Sequence, residues 1–180
     1  MLKLKTLNSW MIKLASGLLA AGLVAGLALL PAHAAEPAVG SPDSGTPPGP
    51  LNTALSNLYQ REQNWLSGQS NTLTDANTIA VNAQNWINTL KGQGKDTAAL
   101  EAALAAFNGQ VVSAQTTHDT ASGVLSAHAG YDGSGQVTDR AQAATTLRQA
   151  YQSLQQAHLT LVSAAVNLRL AVRTTINAHS

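Results

Sequence analysis

All six prolines lie at or before Pro50, and the 130 residues from Leu51 to Ser180 contain none. Proline removes a backbone donor and collides with the preceding helical turn, so this confinement leaves the rest of the chain free to form long helices. Three runs there carry an apolar seam in alternating steps of three and four, the coiled-coil-like pattern of helices packed side by side. The first, predicted over 51–91, reads Leu55, Tyr59, Glu62, Leu66, Gln69, Leu73, Ala76, Ala80, Ala83, Ile87 and Leu90. The second, over 96–128, reads Leu100, Leu104, Phe107, Val111, Ala114, His118, Ala121, Leu125 and His128. The third, over 138–178, reads Leu147, Tyr151, Leu154, His158, Leu161, Ala165, Leu168 and Val172.

The connections are as clear as the seams. Gly92-Gln93-Gly94-Lys95 stops the first helix, and Asp96 or Thr97 can cap the second. Gly130-Tyr131-Asp132-Gly133-Ser134-Gly135 stops the second, and Thr138 or Asp139 can cap the third. Short connections between helices of roughly 50–60 Å force antiparallel neighbours. The predicted fold is therefore all-α, an antiparallel up-down-up three-helix bundle. Ser67-Gly68-Gln69-Ser70-Asn71 is turn-like in composition, and a break there would give a four-helix bundle. The seam keeps its phase across that patch, which favours one continuous first helix.

The N-terminus reads as an export signal over 1–34. Lys3, Lys5 and Lys13 precede an uncharged apolar run from Leu14 to Leu30, and Pro31-Ala32-His33-Ala34 ends it with a small-x-small cleavage pattern. The alternative is a retained N-terminal anchor, since the run is near the lower limit of a membrane span. Residues 35–50, rich in proline and glycine, are expected to be a disordered linker. Removal of the signal takes away three lysines and no acid, leaving seven basic against nine acidic residues, a net charge of −2. That balance points away from nucleic acid and from electrostatic attachment to a membrane after cleavage. With no cysteine, disulfides, thiolate metal sites and cysteine nucleophiles are excluded.

His118, His128 and His158 all fall on seams. In an antiparallel hairpin His118 is expected near Arg148, and His158 level with Asn108, roughly 15 Å along the axis from His118. That separation forbids one shared ion, so no metal and no cofactor is expected. Counting back from the connections instead brings Glu62, His128 and Arg140 together near one end, as a small-ligand site or an ion pair that fixes register. Residues 130–141 partly resemble an EF-hand calcium loop, with Asp132, Ser134 and Gly135 in place but Gly130 and Ala141 at the first and last ligand positions. Leu73-Thr74-Asp75-Ala76-Asn77 resembles the LTxxQ motif of periplasmic stress chaperones with Asn for Gln; a single copy assigns nothing.

Leu58, Trp65, Ile79 and Trp86 share one flank of the first helix at multiples of seven residues. They are either anchors against the third helix or a groove for a partner helix or an unfolded chain. Arg148 and Arg169, also on heptad spacing, could line such a site with a weakly basic rim. The sequence-level reading is an exported, non-enzymatic bundle in the cell envelope or outside the cell. It would act through protein contacts as a scaffold, adaptor or chaperone-like binder, and homo-oligomers are compatible with the same seams. The alternative is a small-ligand or metal-binding protein using the Glu62, His128, Arg140 end.

Overall fold

A computed structural model describes residues 49–178, so the expected signal and nearly all of the expected linker lie outside the described residues. Three helices follow one another: α1 Pro50–Gly92, α2 Ala98–Ser126 and α3 Arg140–Ala178. They pack against each other as an all-α three-helix bundle. Pro50 occupies the first turn of α1, where its missing N–H costs nothing. Asp96 Oδ1 accepts from the Ala98 N–H at the start of α2, and Asp139 Oδ1 accepts from the Ala141 and Gln142 N–H groups at the start of α3. These bonds satisfy amides that a helix cannot pair internally.

Helix α1 runs unbroken through Gly68. Ser67, Gly68, Ser70 and Asn71 form its solvent side, whereas Gln69 points inward at 3% exposure. The patch that looked like a turn is the polar face of a helix whose inward seam continues past it. Glycine costs about 1 kcal/mol at a helical position, less than the apolar seam recovers on either side.

Two apolar clusters make up the core. The larger joins Leu73 to Leu90 of α1 with Leu100 to Ala114 of α2 and Ala157 to Val172 of α3. The smaller, at the other end, gathers Tyr59, Leu125, Tyr131, Ala143, Leu147 and Ala150. Helices α2 and α3 are the most closely packed pair. Ala143, Ala150, Ala157 and Ala164 recur every seventh residue of α3, and Ala114 and Ala121 do so on α2, all fully buried. Side chains this small let helix axes approach closely.

Candidate functional site at the Tyr59 end of the bundle

Where the α2–α3 connection meets the start of α1, titratable side chains converge. Tyr59 is 1% exposed, and its hydroxyl donates to the Leu125 carbonyl at 2.8 Å. The same oxygen lies 2.8 Å from Nδ1 of His128. One phenolic proton cannot serve both, so with the carbonyl accepting it, Nδ1 carries a hydrogen and donates to the Tyr59 oxygen. Tyr131 stacks on Tyr59 with ring centroids 4.2 Å apart and donates its own hydroxyl to the Leu55 carbonyl at 3.3 Å. Burial pushes the Tyr131 phenol up to about 12, with neighbouring Tyr59 adding to the effect, and burial also raises Tyr59. Both phenols stay neutral donors across the physiological range.

His128 is not on a helical seam as expected. Helix α2 ends at Ser126, and His128 adopts a left-handed conformation with φ of 51° and an exposed side chain. The reason lies two residues on. Gly130, at φ 86°, packs so tightly beneath α3 that an added Cβ would sit 2.2 Å from the Ala143 nitrogen. Ending the helix early also turns Tyr131 back under the bundle, where it pairs with Val137 in a single antiparallel bridge and stacks on Tyr59. A short connection that needs a left-handed residue accepts His at modest cost.

Among the described residues no hydrogen bond or ion pair joins Glu62, His128 and Arg140 to one another. His128 bonds Tyr59, while Arg140 is exposed and donates from Nε to Oδ1 of Asn52 at 2.6 Å. Glu62 is 8% exposed, and its Oε2 has no hydrogen-bond partner. Burial pushes its pKa from 4.5 to about 7, partly offset by the Arg61 charge. His128 does bond α1 one helical turn before Glu62, at Tyr59, but it does so from a left-handed residue past the end of α2 and not from a helical seam.

On α1 Glu62 falls between Tyr59 and Leu66, which belong to or pack against the smaller apolar cluster, and the polar seam continues beyond it toward the larger one. Gln69, one heptad further along α1, donates from Nε2 to the Leu154 carbonyl at 3.0 Å and leaves Oε1 unpaired. His118 is buried and donates from Nε2 to the Leu66 carbonyl at 3.1 Å, so it faces α1. His158 is half-buried on α3. Among the described residues no cluster of three His, Asp or Glu side chains could hold a metal ion.

The calcium-like loop is organised by its own donors. Asp132 Oδ1 accepts from the Ser134 N–H and hydroxyl and from the Gln136 N–H, all within 2.9 Å. The Ser134 hydroxyl above all, then these amides, hold the Asp132 carboxyl below its usual range. On the tryptophan flank, Ile79 belongs to the core, and Leu58 and Trp86 lie half-buried against the smaller and larger clusters. Trp65 is half-buried against the Tyr151 ring, 5.8 Å between centroids. The flank is thus half-covered, with its middle closed by Ile79.

Sequence reasoning passed over Tyr131, Asn52 and Thr146, the last of which donates to the Ala129 carbonyl at 2.8 Å. Only Tyr131 left a signal, a large aromatic inside a glycine-rich connection. No family model matches the sequence, and comparison with curated proteins and with solved structures finds no match.

Proposed function

We propose that this is an exported, non-enzymatic helical-bundle protein that acts through protein contacts in the cell envelope or outside the cell. The observation that supports this reading is where its chemistry-bearing side chains go. Tyr59, Tyr131, Gln69 and His118 each bind a backbone carbonyl of another element, so they act as cross-ties that set helix register. Half-buried Trp65 and Trp86 on α1 offer aromatic edges of the kind protein contacts use. The export-signal pattern read over 1–34 of the sequence supports the location. Crosslinking in native envelope extract, combined with light-scattering mass of the purified chain, tests the proposal. It predicts a defined adduct or oligomer; a strict monomer with no adduct contradicts it.

A second reading, small-ligand or metal binding, is favoured by one observation: the buried, unpartnered Oε2 of Glu62. It predicts that elemental analysis or a thermal-shift screen of the purified chain finds a ligand whose effect disappears in Glu62→Gln. Equal response of both chains sinks it.

A further inference from the structure

Net charge concealed how the charges are arranged. Helix α3 carries Arg140, Arg148, Arg169 and Arg173 and no acidic residue. Every acid among the described residues lies on α1, on α2 or in a connection. At 100° per residue, Arg148, Leu159, Val166, Leu170 and Arg173 fall on one stripe opposite the buried side of α3, with Arg169 on its flank. The structure agrees: Leu159, Val166 and Leu170 are 55%, 51% and 57% exposed, and the three arginines are exposed. Isolated surface leucines need no explanation. Here, however, three of the six large exposed hydrophobics of the described chain line up on one helix side, while the other three are scattered singly over α1 and α2.

From this face we infer that α3 seats the bundle on an anionic lipid surface. The stripe spans about 38 Å from Arg148 to Arg173 along the convex outside of the bundle. Leucine and valine side chains enter the interfacial region, and the longer arginine stems carry guanidiniums out to lipid phosphates, which they bind through paired N–H donors. None of these three arginines is in an ion pair among the described residues, so lipid phosphate does not have to displace a partner. A second copy fits poorly, because two such faces would bring six arginines together without an acid. Spanning the bilayer fits poorly as well. Helix α3 is long and apolar enough to cross, but its inward side is core, with Leu154, Leu161, Leu168 and Val172 at most 1% exposed. Lying on the surface leaves that core intact. The chain joins the bundle at Gly49, beside Arg140 at the start of α3, so an N-terminal segment held in a bilayer would deliver this helix to the surface. This inference is independent of the protein-contact reading and departs from the expectation that net charge gave.

The absence of cysteine allows a clean test. The full chain is labelled with an environment-sensitive fluorophore at Val166→Cys, and separately at Val112→Cys on α2 and Val81→Cys on α1. Each is titrated with vesicles of phosphatidylcholine alone and of phosphatidylcholine mixed with phosphatidylglycerol. The Val166 label is expected to shift to the blue and be quenched by lipid-borne nitroxide on the anionic vesicles only, while the other two labels stay aqueous. Three arginines near an anionic surface should strengthen seating on the order of 100-fold, an advantage lost in R148Q/R169Q/R173Q or in high salt. Because the same N-terminal segment is present throughout, its own insertion cannot produce this pattern. Equal shifts at all three labels, equal response to both vesicles, or an unaffected triple variant would overturn the inference. A shift with poly-glutamate but not with vesicles would overturn it in favour of an acidic protein partner.

Discussion

Helices α2 and α3 meet along fully buried alanines, whereas the first half of α1 meets them through a mixed seam that buries Ser56, Glu62 and Gln69 beside Tyr59. The alanine seam buries no polar side chain that needs a partner, and its helices are the closest pair in the molecule. The α1 seam leaves Ser56 Oγ, Glu62 Oε2 and Gln69 Oε1 buried without partners. Each such atom costs about 1–3 kcal/mol relative to a satisfied one. Attachment on the α1 side is recovered through Tyr59, Gln69 and His118, which bond backbone carbonyls across the helices. Small side chains give α2–α3 tight but unspecific contact; polar cross-ties give α1 a fixed register on weaker attachment.

The largest expected effect breaks the tight side. Gly130→Ala forces a Cβ into the Ala143 backbone at a positive φ, and urea unfolding should show a loss of roughly 3 kcal/mol or more. A loss below 1 kcal/mol would mean that the α2–α3 connection yields easily.

The next effect lies on the weak side and depends on pH. Glu62 binds its proton more tightly folded than unfolded, so its contribution is fully present below about pH 4.5 and is lost as pH rises through about 7. Stability should fall by roughly 3 kcal/mol between those limits, beyond what the other groups contribute. Glu62→Gln should flatten that fall; an unchanged pH profile would show that Glu62 is not the responsible group.

Smaller again is Ala157→Leu, which overfills the alanine seam and should cost about 1–3 kcal/mol. A neutral result would show that α2 and α3 are not held as closely as described. The smallest is Gln69→Leu. It removes one unpaired buried oxygen along with one good hydrogen bond, so stability should change by less than about 1 kcal/mol in either direction. The register it helps to set should loosen, visible as broadened resonances around Leu154.

Much of this fold was legible because helices announce themselves by period. The proline-free stretch and the three seams gave the bundle, and Asp96 and Asp139 were visible as capping candidates. The end of α2 was not legible, because the three-four pattern runs on through His128 while the backbone leaves the helix after Ser126 and turns left-handed at His128, bringing Tyr131 onto Tyr59. Polar seam positions were legible as positions but not as partners. Glu62 and Gln69 were both on the seam, yet their environments depend on which carbonyls the neighbouring helices present. The α3 stripe was missed for a different reason. Summing charge over the chain cancels the acids of α1, α2 and the connections against arginines that the fold gathers on one helix.

The contrast between a tight α2–α3 hairpin and a loosely held α1 is tested most directly by native-state hydrogen exchange, corrected for intrinsic rates, at pH 5 and pH 8. Amides of α1 between Ser56 and Gln69 should be less protected than those around Ala114 and Ala157, and the gap should widen at pH 8 as Glu62 ionises. Equal protection in the two regions, or a gap indifferent to pH, would contradict the account.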